Sequence, residues 1–322
     1  MDNDVLNEEM KKYEKRMKKI LPIEEKFGKL RREGKSLDEI SQILGNDIKL
    51  LSDVPETLYH GSPESLDVIK ARESTQQGSY VYATDNPIHA LFFSIFRNSS
   101  IARGHINEFI DQNGNYRVKY QIDERVQGAL DEIISDRNIT IHVCDGNKFF
   151  KPYGGAYVNR EWCSKNGEDI VPLQKIDVNI KEFFESLSKQ GLVEFSRYNK
   201  DKDWVTVMDL LGQNYPFGLG TQQGQDISSF DKRYDEFIKT YFPEQYEFSV
   251  YFRDDVKKIM TNDEEYNDKL KSILILADGF LKTVVDENGK TKRIGDLDKI
   301  KMFINQKRIQ NNIVEENSER SL

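Results

Sequence analysis

Leu58-Tyr59-His60-Gly61-Ser62 and, with Tyr82 following His60 by 22 residues, Tyr80-Val81-Tyr82-Ala83-Thr84 are the two runs on which the reading of this chain turns. Both are short, rich in aromatic and β-branched residues, and bounded by Gly, Ser and Asp, which is how strands are written. They sit in a region, residues 56–180, of β-rich runs separated by Gly, Asn and Asp, with few helical periods. Phe109-Ile110 and the run 116–122 flank Gln112-Asn113-Gly114-Asn115, a hairpin signal. Residues 139–144 alternate as a strand, and Asp145-Gly146-Asn147 turns it.

The flanks read as helices. Leu6, Met10, Tyr13, Met17 and Ile20 form one amphipathic stripe that Pro22 is expected to end, with a second short helix over residues 23–32. Ser36 and Glu39 make a capping box that opens a helix running to Leu44 and stopped by Gly45. Residues 33–45 have the cadence of the first helices of a helix-turn-helix. The acidic, short segment 46–53 supplies no basic recognition helix, so DNA binding is not the reading taken. A helix over 180–190 presents Ile180, Phe183, Phe184 and Leu187 on one side and stops at Gly191. Helices are expected at 229–242, 263–278 and 296–313, with a second hairpin around Asp286-Glu287-Asn288-Gly289. Residues 211–229, rich in Gly, Gln and Asn, read as a loop, linker or lid. The expected organisation is therefore a helical unit over 1–54, an α+β core over 55–210 and a mostly helical region with a β-hairpin over 211–322.

Composition narrows the function classes. With 322 residues, 37% hydrophobic and 11% aromatic, the chain can build two cores. A mean hydropathy of -0.69 and the lack of a long apolar run speak against a membrane span, and the charged start, residues 1–19, lacks the apolar region of a secretory signal, so a cytoplasmic protein is expected. The net charge of -8 argues against a broad grip on nucleic-acid phosphates. The lysine-rich first helix reads as a solvated face. Two cysteines, Cys144 and Cys163, form no disulfide framework, read as small buried hydrophobes, and with four histidines give no metal-site spacing.

A strand ending in His-Gly-Ser offers an imidazole for a ribose hydroxyl, a bare backbone for a planar amide and a neighbouring hydroxyl. A tyrosine on the adjacent strand offers a face for a ring to stack on. Residues 58–62 resemble the first motif of the ADP-ribosyltransferase fold in its His-Tyr-Glu branch, the branch of the poly(ADP-ribose) polymerases and diphtheria toxin. Val81-Tyr82-Ala83-Thr84, after Gly78, resembles the second, and Asp85-Asn86-Pro87-Ile88-His89-Ala90-Leu91-Phe92-Phe93-Ser94 is similar to the helix that follows, with Ala90 at a small packing position. The departure is His89, where the polymerases usually place a serine that grips the carboxamide. Arg160-Glu161-Trp162-Cys163-Ser164 is the preferred match to the third motif, with Glu161 falling 79 residues after Tyr82. Glu247, in the strand-like run 246–251, is its rival. The resemblance covers about residues 56–180.

The resemblance implies a fold of two small packed β-sheets and NAD as substrate. It assigns catalytic roles to Glu161, His60 and Tyr82, and nucleotide contacts to His60, Gly61, Ser62, Tyr82 and Ala83, with no metal. Glu161 would stabilise the positive charge that builds on the ribose as nicotinamide leaves, His60 would fix the adenosine-side ribose, Gly61 would bond the amide and Tyr82 would stack on the ring. A protein acceptor is expected because the acidic core repels nucleic acid, with water as the other acceptor. The alternative is a catalytically silent module of the same fold that binds a nucleotide or a partner protein, and which would lack a carboxylate at the cleft.

Overall fold

A computed structural model describes residues 3–74, 78–96, 100–151, 160–221, 227–286 and 289–319. The fold is α+β, and the chain forms two compact units, Met1–Arg197 and Tyr198–Leu322. The boundary therefore falls at 197/198 rather than 210/211, and residues 1–54 belong to the first unit.

The first unit begins with α1 (Asn3–Arg32), α2 (Leu37–Leu44), α3 (Asp47–Ser52), β1 (Thr57–Ser62), β2 (Arg72–Ser74), β3 (Gly78–Tyr80), β4 (Tyr82–Thr84) and α4 (Pro87–Ile95). It continues with β5 (Ala102–Ile110), β6 (Tyr116–Glu124), α5 (Ala129–Ile133), β7 (Asn138–Asp145), β8 (Phe149–Phe150), β9 (Glu161–Ser164), β10 (Gln174–Asn179), α6 (Ile180–Lys189) and β11 (Val193–Ser196). A six-stranded sheet has the order β10-β7-β1-β4-β9-β8 and a three-stranded sheet the order β11-β6-β5. The 109–122 hairpin, the capping box of α2 and the amphipathic α6 all form as the sequence leads one to expect.

Pro22 does not end the first helix: α1 runs through it. A proline inside a helix costs roughly 3 kcal/mol. Tyr13, Met17, Ile20, Leu21 and Phe27 of α1 are all buried, joining Ile40, Leu44, Leu51 and Tyr116 of β6 in one core cluster. At about 1.5–3 kcal/mol for each large apolar side chain, that burial outweighs the proline. The same cluster explains why the N-terminal helices are no separate unit: their core is shared with the β5–β6 hairpin, whose Ile110 and Val118 also pack against it.

The second unit comprises α7 (Asp203–Asp209), α8 (Tyr215–Thr221), α9 (Ile227–Tyr241), α10 (Tyr246–Met260), α11 (Tyr266–Asp278), β12 (Leu281–Val285), β13 (Thr291–Gly295) and α12 (Leu297–Glu319). The second hairpin is there, but the stretch 211–229 is not a linker: where described it is helical. Its glycines serve close packing, since a Cβ on Gly218 would lie 2.5 Å from the Phe230 ring and one on Gly220 2.7 Å from the Tyr266 hydroxyl. Glu247 lies in the first turn of α10, not on a strand, because Phe248, Phe252 and Val256 form a fully buried helical stripe. Its carboxylate accepts two hydrogen bonds from Arg308, both 2.6 Å. No helix among the described residues is long and apolar enough to cross a membrane.

Gly61 is a tight joint of the first unit, between β1 and α4. A Cβ there would lie 1.9 Å from the carbonyl oxygen of Ala90 on α4, so Gly61→Ala forces α4 away from β1. We expect it to cost 3 kcal/mol or more, roughly the upper end of the overpacking range. Gly34→Ala, in open space at φ +80°, should cost only about 1–2 kcal/mol. Urea midpoints of the two variants make the comparison, and equal losses would contradict it.

His142, fully buried on β7, has both ring nitrogens committed: Nε2 accepts from the Leu66 N–H at 2.9 Å and Nδ1 faces the His60 carbonyl at 3.2 Å. Protonation would destroy the acceptor, and burial holds the imidazole below the ordinary histidine range. A histidine depressed in the folded state binds fewer protons there than in the unfolded chain. Its contribution is thus fully present above pH about 6.5 and fades as the pH falls. The destabilisation caused by His142→Gln, measured by urea unfolding, should accordingly be largest at pH 7.5–8 and shrink toward pH 5. A pH-independent difference would refute this.

Candidate functional site

Alternation along the strands decides which side chains meet. On β1, Leu58, His60 and Ser62 leave one face and Tyr59 and Gly61 the other. Leu58, directly opposite Cys144, shares a buried cluster with Val81, Ala83, Phe149 and Trp162. The other face of β4 and β9 carries Tyr82 opposite Cys163 and Thr84 opposite Glu161. Tyr82 and Glu161 are therefore diagonal cross-strand neighbours on one face, a spacing of roughly 7–8 Å between backbones.

The expected site residues are distributed unevenly over this frame. His60 lies on the face opposite the Tyr82 ring, so the two do not line one cleft. Its Nδ1 donates to the Tyr82 carbonyl at 2.8 Å, and its ring lies 6.0 Å from that of His142 across the strand pair. Burial pushes the His60 imidazole below its ordinary range, and the Tyr82 carbonyl pulls the other way. The bareness of Gly61 is used by Ala90 of α4 rather than left open to an amide. Ser62 Oγ accepts from the Glu64 N–H at 3.1 Å, closing the turn after β1. Ala83 is buried in the core cluster. The thiols of Cys163 and Cys144 are pushed up to about 12 by burial, so neither is a nucleophile at neutral pH.

Glu161 opens β9 and lines a cavity of about 500 Å³ together with Leu21 and Glu24 of α1, His89 and Phe93 of α4, Glu108 of β5 and Arg160. This falls in the usual range of small-molecule sites, about 300–1,000 Å³. Its wall is ionic. Arg160 pairs with Glu24 at 2.9 Å and Glu108 at 3.0 Å, and also donates to the Tyr13 hydroxyl. Glu108 Oε1 accepts from Tyr13 at 2.7 Å, Tyr116 at 2.6 Å and the amide of Asn86 at 3.0 Å. Burial raises the Glu24 carboxyl above its ordinary range, opposed by Arg160. Asp85, beside this network and paired with Arg16 at 3.3 Å, is likewise raised by burial and pulled back by Arg160 and Arg16.

Three carboxyl groups against one guanidinium make the pocket attractive to a cation and unsuited to a diphosphate. Among the described residues no group of three or more His, Cys, Asp or Glu is placed to hold a metal ion. The sequence marks Glu161 and His89 but not the ionic partners around them. Arg160 stands out there only as the neighbour of Glu161, Tyr13 only as one member of an apolar stripe, and Glu24 and Glu108 not at all. Nothing in their spacing marks them, since they converge from three distant elements. Compared with known proteins, the chain matches no family model, no curated protein and no solved structure.

Replacing Arg160 by Met would leave the half-buried Glu24 and Glu108 without their cation. We expect a loss of about 1–3 kcal/mol, below the range for a fully buried ion pair because the cavity gives solvent access to these groups. Adding Glu108→Gln to Arg160→Met should recover part of it, so that a double-mutant cycle on urea unfolding gives a coupling of about 1 kcal/mol or more. Strict additivity would show that the pair is not energetically joined.

Proposed function

We propose that the first unit is an NAD-dependent ADP-ribosyltransferase that breaks the bond between nicotinamide and ribose and passes ADP-ribose to a protein acceptor or to water. The observation that carries this reading is Glu161. It stands at the start of β9, across the strand pair from β4 and on the face of Tyr82, and it borders a cavity of suitable size. A carboxylate there supplies the counter-charge that an oxocarbenium-like transition state needs and an acceptor for a ribose hydroxyl. The acid-rich wall favours the cationic nicotinamide-ribose end, while the diphosphate and adenosine would lie outside it. Tyr82 offers the stacking face. Within this reading His60 acts from beneath, holding the β4 backbone at Tyr82 through its bond to the carbonyl, rather than touching ribose.

A silent binding module is the second reading, and Gly61 favours it: with Ala90 against it, the backbone that would receive the nicotinamide amide is covered on that face. The two readings part on turnover. Release of nicotinamide from NAD by the purified chain, lost by about 10²-fold or more in Glu161→Gln, is the expected result. A lysate-dependent increase would point to transfer over hydrolysis. A folded protein that releases none, with or without lysate, while NAD raises its melting temperature, would establish the silent module instead.

A further inference from the structure

His89 is the cavity residue whose chemistry is still unspent. It lies in the first turn of α4, where the Asn86 side chain accepts from the backbone N–H groups of Ile88 at 2.8 Å and His89 at 3.2 Å. The Asn86 amide in turn donates to Glu108, so the cap that sets His89 in place is tied to the ionic wall. The ring of Phe93, one turn on, meets the imidazole edge-on at 6.3 Å. Among the described residues the imidazole nitrogens have no hydrogen-bond partner, although the ring lines the same cavity as Glu161.

The neighbouring groups are committed elsewhere. Glu108 accepts from Tyr13, Tyr116, Asn86 and Arg160, and Glu24 is held by Arg160. We propose that His89 is the base that takes the proton from the acceptor, a hydroxyl or water, as the acceptor attacks the anomeric carbon of the nicotinamide-bearing ribose. This rests on the transferase reading above. The acceptor O–H bond breaks, its electron pair forms the bond from oxygen to the anomeric carbon, and the proton passes to a ring nitrogen of His89. The carbon–nitrogen bond to nicotinamide breaks, and its pair leaves with nicotinamide as a neutral molecule. Glu161 is thereby left to the sugar charge, and the two cavity groups divide the work between cation and proton.

A base must be unprotonated before it acts. Burial depresses the His89 imidazole; Glu108 on β5 raises it and Arg160 lowers it, while Glu24 of α1 and Glu161 of β9 also face the cavity. The neutral form therefore prevails at pH 7, and the rate should fall on the acid side.

Azide tests the assignment, because it attacks as an anion and has no proton to lose. Nicotinamide release would be followed for wild type, His89→Gln, His89→Asn and Glu161→Gln, with water or lysate acceptors and then with azide. Circular dichroism and thermal melting would confirm that each variant is folded. His89→Gln is expected to slow release to water and protein acceptors by about 10²-fold or more, with azide restoring it toward the wild-type rate. The acid limb of the wild-type pH profile should vanish when azide is the acceptor. His89 variants that keep the wild-type rate and pH profile, or that are slowed equally with azide, would overturn the assignment and leave the transferase reading standing. A wild type inert with water, lysate and azide alike would overturn that reading and this one together.

Discussion

A half-buried guanidinium holds the first unit together. Arg160, reaching from the start of β9, bonds to Glu24 and Tyr13 on α1 and to Glu108 on β5, so one side chain ties the N-terminal helix, the three-stranded sheet and the six-stranded sheet into a single arrangement. Removing such a charge from water is expensive, and only the full set of acceptors makes it tolerable. Every partner must therefore be in place together. Its sequence neighbour is Glu161, and the network that anchors Arg160 also fixes where β9 begins and where the Glu161 carboxylate meets the cavity.

Local signals in the sequence carried through wherever a short segment decides its own conformation. The capping box at Ser36, the turn around Gly114 and the apolar side of α6 each depend on residues a few positions apart, and each formed as read. The misreadings share the opposite character. Pro22, the glycines of 211–229 and the aromatic run at Glu247 have local preferences that distant packing overrules: α1 is kept whole by its buried stripe, the glycines admit aromatic rings, and Phe248, Phe252 and Val256 select a helix. Propensity is worth at most a few kcal/mol per position, and burial of several large side chains exceeds it.

The candidate site was legible in part for the same reason. Glu161 and Tyr82 stand out in the sequence through strand-like motifs, and the pairing of β4 with β9 sets the two on one face. The place of His60 could not, since a strand's face assignment depends on which neighbours cover it, and α4 takes the Gly61 side. The ionic wall was invisible because Glu24, Glu108 and Arg160 are distant in sequence and ordinary in type. His89 was visible as a departure from the family pattern. Its seat on the cavity, without a hydrogen-bond partner among the described residues, is what supports the role proposed for it.

The central claim is that the substrate's nicotinamide-ribose end lies on the Tyr82 and Glu161 face of the six-stranded sheet. A crystal structure of Glu161→Gln soaked with NAD tests it most directly. The account predicts a pyridine ring stacked on Tyr82, with a ribose hydroxyl in hydrogen-bond reach of residue 161 and the diphosphate outside the acid-lined cavity. A dinucleotide bound against His60 on the opposite face, or held with its diphosphate among Glu24, Glu108 and residue 161, would contradict it.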